Sequence, residues 1–318
     1  MHLRRLRQTE SIRNLVRETN LHINHFILPL FIVEGENIKR EIPSMPGVYH
    51  FSVDRLDSEI KSIQALGLEH VLLFGVVTQK DQLGSQAFNE HGVIQCAVRK
   101  IKSIAPGINV ITDVCMCEYT SHGHCGILDE NGNVNNGETL EYMARIARSH
   151  AQAGADMVAP SSMTDGVVKA LRQSLNDGGF VHIPIMAYSV KYASGFYAPF
   201  REAAQSAPQF GDRRGYQMDC ANSKEALREA KLDVLEGADI LMVKPALPFL
   251  DIISIIKQNF NIPLAAYQVS GEYSMLKTAV KNGYLTQSCI DETLLAIKRA
   301  GADIIITYFA KELAQRLR

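Results

Sequence analysis

Eight short apolar runs rich in β-branched residues punctuate the chain, at 27–33, 70–77, 109–113, 157–160, 183–188, 240–243, 264–269 and 304–307. Runs of this length, bounded by polar or turn-forming positions, read as buried strands. Between most of them the apolar positions recur at the three- and four-residue spacing of one helix face. Examples lie at 54–66, 137–153, 223–236, 250–259 and 291–300, the last with Leu294, Leu295 and Ile297 on one side. Three of these helices run into nearly the same phrase before the next strand: Ala153-Gly154-Ala155-Asp156, Glu236-Gly237-Ala238-Asp239 and Ala300-Gly301-Ala302-Asp303. The glycine supplies a left-handed helix stop. An eightfold alternation of strand and helix predicts an α/β fold, a (β/α)8 TIM barrel, with a doubly wound sheet as the runner-up.

No Pro- or Gly-rich linker divides the 318 residues, so one catalytic barrel over 26–318 is expected, preceded by an arm over 1–25. The arm carries Arg4, Arg5, Arg7, Arg13 and Arg17, and its helix-like piece at 10–19 puts Ile12, Leu15 and Val16 on one face. Five cations without interleaved aromatics make a poor nucleic-acid signature, and the apolar stripe suits packing on a neighbouring subunit. Overall charge agrees: 33 Lys+Arg against 34 Asp+Glu leave a formal net charge of -1, which gives no reason to expect nucleic acid or an anionic membrane as partner. The charged start lacks the apolar core of a signal peptide, and no apolar run approaches a membrane span. Cys96, Cys220 and Cys289 lie far apart while the other three cysteines cluster, as reduced thiols and a metal site would. A cytoplasmic enzyme acting on small molecules is the expectation.

In such barrels the active site lies at the C-terminal ends of the strands, so polar residues that end apolar runs carry weight. Asp113 and Cys115 follow the third run, Ser161 the fourth, Lys191 the fifth, Lys244 the sixth and Ser270 the seventh, while Tyr308 closes the eighth. Cys115, Cys117 and Cys125 form Cys-x-Cys-x7-Cys beside His122 and His124. Three thiolates suit zinc and leave a fourth position for water or substrate. Each histidine is open to three readings, as ligand, proton carrier or support for the loop. Lys244 stands in an apolar setting and Lys191 occupies the equivalent place on the adjacent strand. Desolvation and a neighbouring cation both lower a lysine's pKa, giving the free amine that attacks a ketone. Arg201 and Arg213, in a loop-rich segment after the fifth run, have the fork geometry to clamp a carboxylate.

These residues resemble the porphobilinogen synthase (5-aminolevulinate dehydratase) family over almost the whole chain. The likeness is carried by Arg4-Arg5-Leu-Arg7, Leu15-Val-Arg-Glu-Thr19, Leu28-Pro-Leu-Phe31, Ile42-Pro-Ser-Met-Pro-Gly-Val48, the stretch 113–126, the Lys191 segment, Met242-Val-Lys-Pro245, Val269-Ser-Gly-Glu272 and Ala300-Gly-Ala-Asp-Ile-Ile-Ile-Thr-Tyr308, in the expected order. The resemblance implies condensation of two 5-aminolevulinate molecules to porphobilinogen with loss of two waters, in tetrapyrrole (heme) synthesis. It implies an imine from Lys244 to the first-bound substrate and from Lys191 to the second. Cys115, Cys117 and Cys125 would hold a catalytic zinc acting as a Lewis acid. By the same matching Arg201, Arg213 and Gln217 would bind the second substrate's carboxylate, Ser270 and Tyr308 the first's, and Asp113 would steer protons or the amino group. Glu229 matches the acidic ligand of an allosteric magnesium site, and the arm would serve a homo-octamer.

Three positions depart from the family pattern. Ala198 stands where glycine is usual, Cys220 where proline is frequent, and Ser161-Ser-Met-Thr-Asp165 replaces a common Ser-Asp-Met-Met-Asp. None removes a named catalytic group. Two other functions compete: an imine-forming aldolase on the same barrel, which needs one lysine and no thiolate triad, and a zinc-stabilised binding or regulatory module with incidental lysines.

Overall fold

The computed structural model describes residues 1–317. Its strands are β1 (Phe26–Val33), β2 (Lys39–Glu41), β3 (Tyr49–Ser52), β4 (His70–Val76), β5 (Asn109–Val114), β6 (Met157–Pro160), β7 (Met186–Lys191), β8 (Ile240–Lys244), β9 (Leu264–Gln268) and β10 (Ile304–Thr307). The helices are α1 (Glu10–Leu15), α2 (Leu56–Ala65), α3 (Val93–Ile104), α4 (Asn136–Ala153), α5 (Val167–Asp177), α6 (Ala198–Ala203), α7 (Lys224–Glu236), α8 (Leu250–Asn259), α9 (Ser270–Lys281), α10 (Ser288–Ala300) and α11 (Ala310–Arg316). Eight strands follow the path β6-β5-β4-β1-β10-β9-β8-β7, all parallel, and a single bridge from Val158 to Ile185 joins the two ends. This is the (β/α)8 barrel that the alternation predicts. The strands are buried almost throughout, as a barrel sheathed in helices requires. No helix among the described residues is long and apolar enough to cross a membrane.

Three features differ from the sequence expectation. The hairpin β2–β3, which adds to β1 through β3, has no apolar run to announce it: Lys39-Arg40-Glu41 is charged and exposed. The fifth strand begins and ends three residues later than 183–188. Pro184 has no N–H to give a ladder, and the polar Ser189 and Lys191 that look like loop in sequence are buried strand residues. In the arm, the helix is confined to 10–15, with the Thr9 hydroxyl accepting from the Ile12 N–H at 3.2 Å. Leu3, Leu6 and Leu15 of the arm are exposed.

The repeated Gly-Ala-Asp phrase acquires a mechanical role. Gly154 and Gly237 end α4 and α7 at φ 99° and 104°, the left-handed region where a side chain is strained. Each aspartate then pairs twice with a residue within one position of the start of the preceding strand. The Asp156 N–H donates to the Val110 carbonyl at 2.9 Å and its carboxylate accepts the Val110 N–H at 2.8 Å. Asp239 does the same with Ile185, at 3.0 and 2.8 Å, and Asp303 with Leu264, at 2.8 and 2.9 Å. Strand pairs β5/β6, β7/β8 and β9/β10 are thereby clamped at the end opposite the catalytic mouth. A hydrogen bond to a charged acceptor contributes about 1.5–3 kcal/mol, and its loss leaves the Ile185 N–H unpaired. Asp239→Ala should therefore lower unfolding free energy by about 2 kcal/mol, read as a lower urea midpoint with unchanged slope; a variant within 0.5 kcal/mol (about the scatter of neutral surface changes) would contradict the clamp.

Candidate active site

An irregularity in β7 decides which residues face each other at the mouth. Met186 and Ala187 pair with Ile240 and Leu241, then the register slips, so that Val190 and Lys191 pair with Val243 and Lys244. Without the bulge Val190 would stand beside Lys244. The extra residue re-aims the strand end, as bulges near active sites do, and makes the two lysines lateral neighbours. Both are buried. The Lys244 ammonium sits over four rings, those of Tyr267 at 4.4 Å, Tyr188 at 4.9 Å, and Tyr197 and Phe200 at 5.3 Å. Burial, and then the Lys191 charge, bring Lys244 down to about 7. Lys191 donates to the Ser161 carbonyl at 2.5 Å. Asp113 lies between the lysines and the cysteines; one carboxylate oxygen accepts from the Ser161 hydroxyl at 3.0 Å and the other has no partner. Burial, followed by the Glu118 carboxylate, raises Asp113 to about 8 against the pull of both lysines.

Cys115, Cys117 and Cys125 bring their sulfurs within 4.8 Å of one another, all buried, with Tyr216 packed against them. The Sγ atoms of Cys115 and Cys117 are 3.4 Å apart. Two 2.3 Å bonds at a tetrahedral angle would hold sulfurs about 3.8 Å apart, so the donor set fits a zinc ion with little movement. Electrostatics fit as well. Contacts with Cys115 and Cys125, and then burial, push the Cys117 thiol well up, whereas the same kind of contacts with Cys115 and Cys117 lower Cys125. Three buried thiols so close accommodate one negative charge easily and three only with a cation among them. Glu118, which the sequence reading passed over, is buried beside them and accepts from Cys117 Sγ at 3.2 Å.

The segment after β7 closes over this floor. Arg213 is buried and Arg201 half-buried, and neither has a carboxylate in reach among the described residues. Arg213 gives one amine to the carbonyls of Gly123, at 2.9 Å, and Ser206, at 2.5 Å, while the Nε atoms of both arginines are unpartnered. Gln217 is buried with neither end of its amide bonded. Buried guanidinium and amide groups left unsatisfied mark a place where an anion completes the bonding. Phe74, Cys117, Glu118, Ser161, Tyr197 and Phe200 join Lys191, Lys244, Arg201 and Arg213 around a cavity of about 20 Å³. That is room for about one water, so the cavity as closed in this structure is smaller than a substrate.

The other expected residues are distributed unevenly. The Ser270 hydroxyl accepts from Phe200 N–H at 2.9 Å and donates to the Phe196 carbonyl at 3.3 Å, and Tyr308 meets the Tyr267 hydroxyl at 3.0 Å. Both adjoin the aromatic ring around Lys244 without lining the cavity. Gln217 lies on the wall of a larger polar cavity of about 620 Å³, which also takes in Cys125, Tyr216, Asp165, Asp219, Glu225 and Glu229. Glu229, half-buried on α7, is thus separate from the lysines. His122 supports its loop, accepting from the His124 N–H at 3.1 Å. Ala198 begins α6 and Cys220 is exposed, so neither departure disturbs the floor. Glu272 was also missed: fully buried, it accepts N–H bonds from Val269 and Leu247, both at 2.6 Å, and so ties the exits of β8 and β9 beneath Lys244. Glu272 occupies the N3 position of α9 behind an N-cap Val269 that has no side-chain oxygen, so the usual Ser/Thr-x-x-Glu signal is missing. The aromatic ring was signalled only by tyrosines at the strand ends, which core packing explains equally well.

The chain is similar to known proteins over nearly its whole length. The family model described as delta-aminolevulinic acid dehydratase matches residues 1–316. The curated delta-aminolevulinic acid dehydratase of Halalkalibacterium halodurans is 54% identical over 315 residues, 99% of this chain and 96% of that protein. That of Methanothermobacter thermautotrophicus is 56% identical over 313 residues, 98% of this chain and 95% of that protein. A crystal structure of delta-aminolevulinic acid dehydratase (porphobilinogen synthase) from Toxoplasma gondii, in complex with the reaction product porphobilinogen, superposes with a TM-score of 0.97 at 41% identity, covering 99% of this chain and 91% of that one. With full-length agreement in sequence and in fold, the chain belongs to the delta-aminolevulinic acid dehydratase family.

Proposed function

We propose that the chain condenses two molecules of 5-aminolevulinate to porphobilinogen, with Lys244 and Lys191 forming imines to the first and second substrate. It acts as a hydro-lyase: two waters leave as two C5 chains join in one pyrrole, in tetrapyrrole and heme synthesis. The pair of buried lysines set side by side by the β7 bulge, opposite three thiols, is the observation that carries this reading. A Schiff-base aldolase would use one lysine and no thiol triad, and a zinc-stabilised regulatory module would have no need of an amine brought down to about 7.

Lys244 Nζ, poorly solvated among four rings, attacks the ketone carbon of the first substrate as a free amine, and the oxygen departs as water. Asp113, held protonated by burial, is placed with Ser161 to supply a proton near both lysines. Arg201, Arg213 and Gln217 offer their unpartnered donors to the second substrate's carboxylate; Ser270 and Tyr308, once freed from their present partners, serve the first's. Cys115, Cys117 and Cys125 would hold zinc, which supplies Lewis-acid polarisation at the second substrate. Glu229, raised by burial and then by Asp165, is our candidate magnesium ligand on the neighbouring cavity. The exposed leucines of the arm at 1–25 support its use in a homo-octamer around the 26–318 barrel, and we place the enzyme in the cytoplasm.

The decisive measurement is porphobilinogen formation from 5-aminolevulinate, with zinc removed and restored; no product from the zinc-loaded chain would end the proposal. A pH prediction accompanies it. Because the folded pKa of Lys244 lies below the ordinary lysine value, the reactive neutral amine accumulates as pH rises through about 7. Borohydride capture of 5-aminolevulinate on Lys244 should be half-maximal near that pH and level above it. A midpoint near the ordinary 10.5 would show that the aromatic enclosure does not tune the amine.

A further inference from the structure

The cysteine loop and the covering segment are joined at four consecutive residues, 122–125. The Gln209 N–H donates to the His122 carbonyl at 3.0 Å, and Arg213 donates to the Gly123 carbonyl at 2.9 Å. His124 Nε2 meets the Phe210 carbonyl at 3.1 Å, and His124 Nδ1 meets the Tyr216 hydroxyl at 3.2 Å. The Cys125 N–H donates to that same hydroxyl at 3.4 Å. A carbonyl can only accept, so Nε2 carries the proton and Nδ1 accepts from Tyr216. The bonds then run in one direction: Cys125 N–H to the Tyr216 oxygen, Tyr216 O–H to His124 Nδ1, and His124 Nε2–H to the Phe210 carbonyl. Every donor has an acceptor, and both ends of the 210–216 stretch carrying Arg213 are fixed to residues beside a metal-ligand candidate. The approach is close enough to exclude any side chain at Gly123, where a Cβ would lie 2.4 Å from the Ala207 carbonyl oxygen.

We propose that His124 and Tyr216 are positioning residues that make docking of the 206–217 segment, and hence the placement of Arg213, depend on metal occupancy of the cysteine triad. This rests on the reading of Cys115, Cys117 and Cys125 as metal ligands. Metal binding fixes the position of Cys125, and with it the Cys125 amide and the His124 ring that receive Tyr216. Without that constraint the three thiols separate, the directional chain loses its first donor, and the segment is released. One ion thus both completes the floor and shuts the cover.

Hydrogen exchange by mass spectrometry on the full-length chain, stripped of metal and then given zinc alone, tests this. Zinc should slow amide exchange within 206–217 about tenfold, the effect of a bond or two at an opening equilibrium. In Tyr216→Phe and in His124→Phe zinc should still bind with one ion per triad, measured by chelator competition, yet the slowing should shrink to less than about twofold. Both variants should raise KM for 5-aminolevulinate about tenfold with a smaller change in kcat, because Arg213 is displaced while the lysines stay in place. If the wild-type chain binds zinc and exchange in 206–217 is unchanged, or if both variants keep the zinc-dependent slowing, the coupling is wrong and the metal-ligand reading stands. If the chain takes up no zinc, both fall together.

Discussion

Lys244→Met should leave a folded barrel that forms porphobilinogen at least ~10⁴-fold more slowly than the parent chain, the scale on which enzymes lose activity with their nucleophile. Methionine keeps an unbranched stem among the rings of Tyr188, Tyr197, Phe200 and Tyr267 while removing the amine, so packing survives and the chemistry does not. Burial already disfavours charge at this position, so no buried ion pair is broken. Near- and far-ultraviolet circular dichroism should match the parent. Borohydride in the presence of 5-aminolevulinate should label the parent at Lys244 and the variant nowhere in β8. Turnover within tenfold of the parent would remove Lys244 from the mechanism.

The second large effect is expected at Cys117. Cys117→Ala takes away one of three sulfurs from a site that lies in the loop beyond β5, at the mouth and outside the barrel core. Zinc affinity should drop at least ~100-fold, since even loss of an outer-shell partner costs about 10–100-fold. Turnover should disappear while the helical signal persists. A large loss of helical signal would instead make the cysteines structural, which is what the regulatory-module alternative requires. Turnover retained without bound metal would remove the triad from the chemistry altogether.

How much of this was legible beforehand follows from where the information resides. Hydrophobic period and Gly stops are local, so the eight strands and the barrel could be read directly. The cysteine triad and the two lysines were legible because strand ends converge in this fold, whatever the intervening sequence. The slip in β7 was not: a one-residue bulge leaves no mark in composition, and Ser189 and Lys191 broke the apolar run that defined the strand. Glu118, Glu272 and the tyrosines around Lys244 act through burial and through partners distant in sequence. His124 was left open between ligand, proton carrier and support. The structure gives it a partner on each nitrogen, which places it in the hydrogen-bonded contact between two loops.

The barrel's closure has a consequence for how the molecule breathes. Six of the eight strands are clamped in pairs by Asp156, Asp239 and Asp303, and β1 and β4 share a ladder from Leu28 to Val33, yet β6 and β7 meet through one bridge. The cylinder is a rolled sheet with a slit. At the catalytic end of that slit, the Lys191 ammonium on β7 reaches across to the carbonyl of Ser161 beyond β6. Were Lys191 to form an imine, its nitrogen would keep at most one proton to offer that carbonyl. This side-chain stitch across the slit would thus be made by the same nitrogen that meets the second substrate, which ties the seam of the scaffold to the state of the site.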